Sequence, residues 1–253
     1  MIQTAERSSA QDASENPIYQ RHIIAYREAA KLLSGSVLEV GCGEGYGIRY
    51  LASAATDYLG IDKFPTQVAQ LPAHARIQQL EVPPFTGIAD NSFDFVVTFQ
   101  VIEHIENDLL FLQEIKRVLK PGGKLLLTTP NRLMSLSRNP WHVREYTPKE
   151  MAAILSKVFP EVDLQAVYGN EKVMQYYEEN KASVRKFTRF DIFNLQYRLP
   201  RRLLQIPYDL ANRMNRRMLQ KQNTGLVSTI GADDYYIAPV SDSCLDYFAI
   251  CTA

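Results

Sequence analysis

Residues 37–47 read VLEVGCGEGYG. An apolar, β-branched run leads into glycines at alternate positions (41, 43, 45 and 47), and a helical pattern follows them. Glycine allows a sharp turn and lets a ligand approach the backbone closely. In nucleotide-binding βαβ units such a turn lies at the carboxyl edge of a parallel sheet. The stretch therefore predicts a strand, a ligand-binding turn and a helix.

Strand and helix patterns alternate on both sides of this turn. Helices are predicted at 18–33, 46–55, 65–71, 107–119 and 147–156. Strands are predicted at 36–40, 57–62, 75–80, 93–99, 124–129, 162–168 and 245–252. The almost wholly apolar strand at 93–99 is typical of a sheet that is covered on both faces. The alternation predicts an α/β fold with a doubly wound, seven-stranded, mostly parallel sheet.

A long gap separates the last two predicted strands, between 168 and 245. Structureless loops of that length are rare in compact domains. Helical patterns occur at 174–189 and 203–222, with breaks at Pro200 and Pro207. We therefore predict a helical insertion at about 170–230, before the last strand.

Composition is typical of a soluble globular protein, with 46% hydrophobic and 22% charged residues and a formal net charge of zero. No run of 18 apolar residues is present, and residues 1–17 lack the apolar stretch of a secretory signal. We predict a flexible tail at 1–17 and one domain at 18–253. The cysteines at 42, 244 and 251 have neither a paired nor a metal-ligand spacing, which favours buried thiols in the cytoplasm.

The zero net charge hides an uneven distribution. Residues 181–221 hold eleven basic and two acidic side chains, a surplus of nine positive charges that the rest of the chain balances. Apolar and aromatic residues lie between the basic ones, a pattern that fits an anionic membrane surface or a phosphate-bearing acceptor. A solvated helical cap over the ligand site predicted at the glycine turn is the alternative. We hypothesise that the insertion covers this site and recruits an anionic or lipid-linked substrate.

Asp62 ends the second predicted strand, where an acid can accept hydrogen bonds from both hydroxyls of a ribose. The glycine spacing differs from the Gly-x-Gly-x-x-Gly pattern of dinucleotide sites, which disfavours a hydride-transfer enzyme. With these residues the sequence resembles the class I S-adenosylmethionine-dependent methyltransferases. The resemblance covers residues 19–147 and includes three further stretches in order, at 90–97, 101–105 and 119–125.

The resemblance implies S-adenosyl-L-methionine as the cofactor. It assigns cofactor contacts to Glu39, Gly41, Cys42, Gly43, Gly45, Asp62, Lys63, Leu80 and Gln100. The glycine turn would approach the methionine part, Asp62 the ribose, the region of Leu80 the adenine and Gln100 the amino acid moiety. The family often has an acid near Gln79, so Glu81 or a backbone contact is the alternative there.

His104 and His142 are the candidate catalytic residues. Methyl transfer to a hydroxyl is helped by a base with a pKa near neutrality, and His104 follows the fourth strand beside the predicted cofactor site. A structural His104 bonded to the backbone is the alternative. His142 lies near the only tryptophan, an arginine and a tyrosine, a composition that fits an acceptor pocket. A helix-entry loop in which Trp141 packs is the alternative there.

Some methyltransferases bind a divalent metal at positions resembling Gln100, Glu103, His104 and His142. Here the amide of Gln100 removes a charge that a hard cation requires, so no metal is predicted. Residues 19–22, 43–47 and 141–146 are similar to bacterial methyltransferases of sugar or cell-surface polysaccharide synthesis.

The predicted function is O-methylation of a sugar, glycan or small-molecule hydroxyl. The alternatives are a quinone or RNA methyltransferase, with nucleic acid the less favoured partner, and a non-catalytic regulator that binds S-adenosylmethionine. We expect a cytoplasmic protein whose residues 181–221 contact an anionic membrane peripherally.

Overall fold

The computed structural model describes residues 12–66, 68–189, 191 and 194–253. Eight strands form one sheet within this part of the chain. They are β1 (Ser36–Val40), β2 (Asp57–Asp62), β3 (Ala75–Gln79), β4 (Phe93–Phe99), β5 (Leu119–Pro130), β6 (Glu161–Gly169), β7 (Tyr235–Pro239) and β8 (Asp246–Thr252). Their order across the sheet is β3-β2-β1-β4-β5-β8-β6-β7.

The sheet is parallel from β3 to β5 and antiparallel beyond it. This arrangement confirms the predicted α/β fold with a mostly parallel sheet, but the number of strands was wrong by one. The additional strand is β7, which pairs with β6 at the edge, with Ala166 opposite Ala238. Its sequence, YYIAP, is too short and too irregular to indicate a strand, and its pairing with β6 stabilises it.

Eight α-helices connect or cover these strands in the described part of the chain. They are α1 (Asn16–Leu32), α2 (Ile48–Ala54), α3 (Asp108–Val118), α4 (Pro148–Leu155), α5 (Glu171–Thr188), α6 (Leu195–Arg198), α7 (Arg201–Gln222) and α8 (Thr224–Thr229). The start of α4 has the predicted capping box, in which Thr147 and Glu150 each accept a hydrogen bond from the other's backbone N–H. None of the described helices is long and apolar enough to cross a bilayer.

Three local predictions differ from the structure. The described residues of 65–71 are not helical, and Thr66 Oγ1 instead donates to the Gly43 carbonyl at 2.7 Å, which ties this segment to the glycine turn. The helix α7 continues through Pro207. Residues 1–11 of the predicted tail lie outside the described residues, whereas Ser14 and Glu15 are buried.

Apolar side chains pack on both faces of the sheet. Leu38, Val96 and Leu125 face the cluster that includes α3 and α4. Their chain neighbours Val37, Val97 and Leu126 face the cluster that includes α1 and α2. Successive strand residues point to opposite faces, so continuous apolar runs in the central strands follow from coverage on both sides.

Candidate active site

The glycine turn joins β1 to α2 at the carboxyl edge of the sheet. Gly41 and Gly45 have φ values of +82° and +81°, which glycine adopts without the strain of a side chain. The Gly41 and Cys42 N–H groups donate to the Ile61 carbonyl at 2.7 and 3.1 Å. These bonds hold the turn against the end of β2.

Asp62, the last residue of β2, is oriented by two backbone groups. Its Oδ2 accepts a hydrogen bond from the Gly43 N–H at 2.9 Å, and its Oδ1 accepts one from the Phe64 N–H at 2.8 Å. Because a carboxylate oxygen can accept more than one hydrogen bond, this arrangement fixes the group and retains capacity for a ribose diol.

A cavity of about 550 Å³ opens beside the turn, within the usual range of about 300–1,000 Å³ for small-molecule sites. Seven of the nine predicted cofactor residues line it: Gly41, Cys42, Gly43, Asp62, Lys63, Leu80 and Gln100. We call this space the cofactor cavity. His22, Tyr26 and Leu110 also line it and were not predicted from the sequence, and Trp141, which was predicted near an acceptor pocket, lines this cavity instead. The spacing of His22 and Tyr26 on one helical face was the available signal for two of them.

Glu39 and Gly45 do not line the cofactor cavity, so the structure does not support their predicted direct contacts. Glu39 is only 1% exposed, and its carboxylate accepts hydrogen bonds from the Tyr26 hydroxyl at 2.7 Å and from the Tyr58 hydroxyl. Burial raises the Glu39 pKa to about 7, although the two hydroxyl bonds act in the opposite direction. Glu39 therefore connects α1 and β2 behind the turn.

Gln100 lies at the end of β4 with a φ of +57°, which is unusual for a residue with a side chain. Its N–H donates to the Thr128 carbonyl at 2.9 Å, and its Nε2 donates to Thr128 Oγ1 at 3.3 Å. Backbone strain of this kind is often found at functional sites. Gln100 lines the cofactor cavity and also a second cavity that adjoins it.

His104 follows β4 in a short 3₁₀ turn, Ile102–His104. Its Nδ1 lies 3.1 Å from the Trp141 carbonyl, which can only accept, so Nδ1 carries the proton. In the neutral ring this leaves Nε2 as the basic nitrogen. The His142 ring packs edge-on at 5.0 Å, with Nδ1 2.6 Å from Glu145 Oε1 and Nε2 2.9 Å from Asn139 Nδ2.

A second cavity of about 240 Å³, here called the acceptor cavity, adjoins the first. His22, Gln100 and His104 line both cavities, whereas His142 lines only the acceptor cavity. Helices of the insertion form part of its wall through Tyr176 and Tyr177 of α5 and Tyr208 of α7. The two cavities therefore meet at His22, Gln100 and His104.

Hydrogen bonds connect the insertion to the loops that carry the two histidines. Trp141 Nε1 donates to Asp209 Oδ1 of α7 at 2.8 Å. Arg201, at the start of α7, pairs with Glu106 at 2.6 Å. Because the Trp141 carbonyl also accepts from His104, the position of α7 and the orientation of the His104 ring are linked through one residue.

Comparison with known proteins agrees with this geometry. Residues 38–127, from β1 to β5, match the family described as a methyltransferase domain. This segment is similar to S-adenosylmethionine-dependent methyltransferases. The matched segment contains Asp62 and the glycine turn beside the cofactor cavity.

Two relatives and one solved structure illustrate the similarity. A probable S-adenosylmethionine-dependent methyltransferase of Mycolicibacterium smegmatis is 38% identical over 63% of this chain and 65% of its own length. A ubiquinone biosynthesis O-methyltransferase of Maricaulis maris is 31% identical over 38% of this chain and 41% of its own length. The aligned regions thus span less than two thirds of either relative. An Archaeoglobus fulgidus methyltransferase structure, 15% identical, shares the fold over 96% of this chain and 95% of its own, with a TM-score of 0.53.

The buried Glu39 makes the stability of the methyltransferase domain depend on pH. Its folded-state pKa of about 7 exceeds the usual carboxyl value of 4.5, so folding favours the protonated form. The stability that this group contributes is complete below pH 4.5 and is lost as the pH rises through 7. We expect the midpoint temperature of thermal unfolding to decrease as the pH is raised from 5 to 9 (~4 pH units). Glu39→Gln should remove the part of this decrease that the Glu39 carboxyl causes.

The control is Glu161→Gln, which changes an exposed carboxyl on β6 and should keep the wild-type pH dependence. Identical pH profiles for the wild type and Glu39→Gln would contradict the assignment.

Glu103, His104 and His142 bring potential metal-binding atoms within 4.8 Å of one another. Thr129 Oγ1 donates to Glu103 Oε2 at 2.9 Å, and both ring nitrogens of His142 have hydrogen-bond partners. A cation at this position would have to displace these hydrogen bonds, and the neutral amide of Gln100 would not supply the negative charge of a carboxylate ligand. The metal-free prediction therefore stays a prediction.

We expect methyl transfer to proceed at an unchanged rate after treatment with a chelator and gel filtration. The measurement is the rate of S-adenosylhomocysteine formation before and after this treatment, with Mg²⁺ or Zn²⁺ added back in parallel. A loss that either cation restores would show that the three side chains hold a metal.

Proposed function

We propose that the protein transfers the methyl group of S-adenosylmethionine to a hydroxyl oxygen of a small-molecule or saccharide acceptor. The observation that carries the proposal is the position of His104, which lines both cavities. Its Nδ1 donates to the Trp141 carbonyl, so Nε2 is the basic nitrogen of the neutral ring. An acceptor in the second cavity therefore lies next to a base and next to the cofactor cavity.

The chemistry requires one bond to form and one to break. The hydroxyl oxygen bonds to the methyl carbon as the carbon–sulfur bond breaks, and S-adenosylhomocysteine leaves. His104 Nε2 accepts the hydroxyl proton, which is general base catalysis. The remaining residues hold the reactants in line, Asp62 and the glycine turn on the cofactor side and the tyrosines of α5 and α7 on the acceptor side.

Two acceptor classes fit the walls of the acceptor cavity. Tyr176, Tyr177 and Tyr208 can stack on a sugar or an aromatic ring, and polar side chains between them can bind hydroxyls. The sequence-based prediction of a sugar-linked enzyme, from residues 19–22, 43–47 and 141–146, favours a saccharide, but the relatives named above are not sugar-linked methyltransferases. Similarity to ubiquinone biosynthesis O-methyltransferases favours an aromatic hydroxyl and supports oxygen as the methylated atom.

The experiment is an S-adenosylhomocysteine release assay with a panel of acceptors and mass spectrometry of the product. The panel contains monosaccharides, a lipid-linked saccharide, catechols and a mixed RNA. Turnover that depends on a hydroxyl compound, with a mass increase of one methyl group on oxygen, supports the proposal. Binding of S-adenosylmethionine without turnover on any acceptor would indicate a regulator, and salt-sensitive methylation of RNA alone would indicate the RNA alternative.

The outer face of α7 favours peripheral contact with an anionic membrane. Leu203, Ile206, Leu210 and Met214 follow helical spacing and are 64%, 77%, 62% and 57% exposed. Exposed arginines at 202, 213 and 217 lie beside this stripe. Apolar insertion together with attraction to anionic headgroups is how interfacial helices bind bilayers. Tyr208 of the same helix lines the acceptor cavity, so we propose that α7 places this cavity beside a membrane-embedded acceptor.

We expect the wild type to co-sediment with vesicles that contain phosphatidylglycerol and to bind phosphatidylcholine vesicles weakly. Replacing both Ile206 and Leu210 by serine should lower the partition coefficient by about tenfold or more, because each buried apolar side chain contributes about 1.5–3 kcal/mol. Leu32→Ser, which changes an exposed leucine at the end of α1, serves as the matched control. Equal sedimentation of all three proteins, or none at low salt, would contradict membrane contact.

A further inference from the structure

Asp209 is the single acidic residue in the sequence of α7, a helix that otherwise carries six basic side chains. Its Oδ1 accepts a hydrogen bond from the Trp141 Nε1–H at 2.8 Å, in a partly buried position. An indole N–H can only donate, so a carboxylate oxygen is a suitable partner for it. This bond joins α7 to the loop between β5 and α4.

The backbone of Trp141 orients the ring of His104. The Trp141 carbonyl accepts from His104 Nδ1 at 3.1 Å, and the Trp141 N–H donates to Asn139 Oδ1 at 3.0 Å. The Nδ2 of Asn139 then faces His142 Nε2, 2.9 Å away. Residue 141 is therefore held by Asn139 through its backbone and by Asp209 through its indole ring.

Arg201 makes a second link between α7 and this part of the site, but a weaker one. Its terminal nitrogens lie 2.6 Å from Glu106 Oε1 and 3.4 Å from the His142 carbonyl. The Glu106 side chain is 74% exposed, and exposed ion pairs of this kind contribute little because water and salt screen them. The partly buried bond between Trp141 and Asp209 is thus the stronger of the two polar links.

We infer that Asp209 is a positioning residue for methyl transfer, which holds the Trp141 indole so that the Trp141 carbonyl keeps His104 in the tautomer with a basic Nε2. This inference rests on the proposed function, because it concerns the base of the same reaction. Asp209 lines neither cavity, so it acts through Trp141 and does not touch the reactants. Misplacing a catalytic group by about 1 Å can lower a rate by about 10²-fold.

The first test follows the His104 ring by nitrogen NMR of protein labelled in its four histidines, at alkaline pH, where the ring is neutral. The signal that His104→Gln removes is the one to follow. In the wild type we expect the Nδ1–H tautomer, which the carbonyl bond selects. Asp209→Leu removes the acceptor of the indole N–H and should shift the ring towards the Nε2–H tautomer. Asp209→Asn retains an acceptor oxygen and should keep the wild-type tautomer.

The second test measures kcat with catechol as the acceptor, at saturating S-adenosylmethionine and without vesicles. Asp209→Leu and Trp141→Phe should each lower kcat by about 10-fold to 10²-fold. The double variant should be no slower than either single variant, because both changes remove the same hydrogen bond. Asp209→Asn should recover most of the rate. Asp233→Leu, which changes an exposed acid paired with Arg27, is the control and should keep the wild-type kcat.

The Nδ1–H tautomer in folded Asp209→Leu, the Nε2–H tautomer in the wild type, or kcat losses that multiply in the double variant would overturn the inference. If circular dichroism shows that Asp209→Leu does not fold, the tautomer in Trp141→Phe decides, because this variant leaves α7 unchanged. The expected tautomers without turnover of any compound in the acceptor panel would overturn the proposed function and leave the positioning of the ring supported. Wild-type kcat in Asp209→Leu would overturn the inference and leave the proposed function standing.

Discussion

Replacing His104 by glutamine should lower kcat by about 10²–10⁴-fold, the usual contribution of a general base. Glutamine can still donate a hydrogen bond towards the Trp141 carbonyl but offers no nitrogen that takes up the acceptor proton. The affinity for S-adenosylmethionine should stay close to that of the wild type, because the other walls of the cofactor cavity are unchanged. Steady-state rates at saturating S-adenosylmethionine across pH 5–9 (~4 pH units) measure the effect.

The pH profile separates a base from a structural histidine. In the wild type kcat should rise with pH as the ring loses its proton, and in His104→Gln this rise should disappear. The control is His74→Gln, because His74 bonds the Ala52 carbonyl at 2.8 Å beside β3 and lines neither cavity. A His104→Gln variant with wild-type kcat, or with a reduced kcat and an unchanged pH profile, would assign His104 a packing role.

Replacing Asp62 by alanine should raise the dissociation constant of S-adenosylmethionine by about 10²-fold or more, because two charge-assisted hydrogen bonds to the ribose are lost. The variant also leaves the N–H groups of Gly43 and Phe64 without their acceptor, which loosens the turn. Calorimetric titration with S-adenosylmethionine and S-adenosylhomocysteine measures the change in affinity.

Asp57 is the matched control for Asp62, since it begins the same strand and forms an exposed pair with Arg76. Asp57→Ala should bind S-adenosylmethionine as the wild type does. A folded Asp62→Ala protein with wild-type affinity for the cofactor would show that the carboxylate only shapes the turn and does not bind the ribose.

The cofactor side of the site was largely predictable because its residues are close together in the chain. The glycine turn, Asp62 and Gln100 each follow a strand of the parallel sheet, and the carboxyl ends of neighbouring strands meet at one edge. The absence of Glu39 and Gly45 from the cavity wall has a local cause. Both belong to the motif, but alternation along a strand and curvature of a turn decide which of its residues line the cavity.

The acceptor side could not be predicted to the same extent because distant segments form it. The ion pair of Arg21 and Asp246 spans 225 positions of the chain, and the hydrogen bond of Trp141 and Asp209 spans 68. No local pattern indicates such pairs. The edge strand β7 and the continuation of α7 through Pro207 likewise depend on packing, which outweighs weak local preferences.

By itself the sequence determined the α/β fold and the places of the glycine turn, Asp62 and His104 in it, because periodic burial and turn chemistry are local properties. Its resemblance to a known family predicted the methyl donor. It also showed the charge surplus of residues 181–221. Only the tertiary structure decided that helices of this segment line the acceptor cavity, that the stripe on α7 is exposed, and that Asp209 of α7 binds Trp141. These are contacts between elements far apart in the chain, and chain folding alone brings them together.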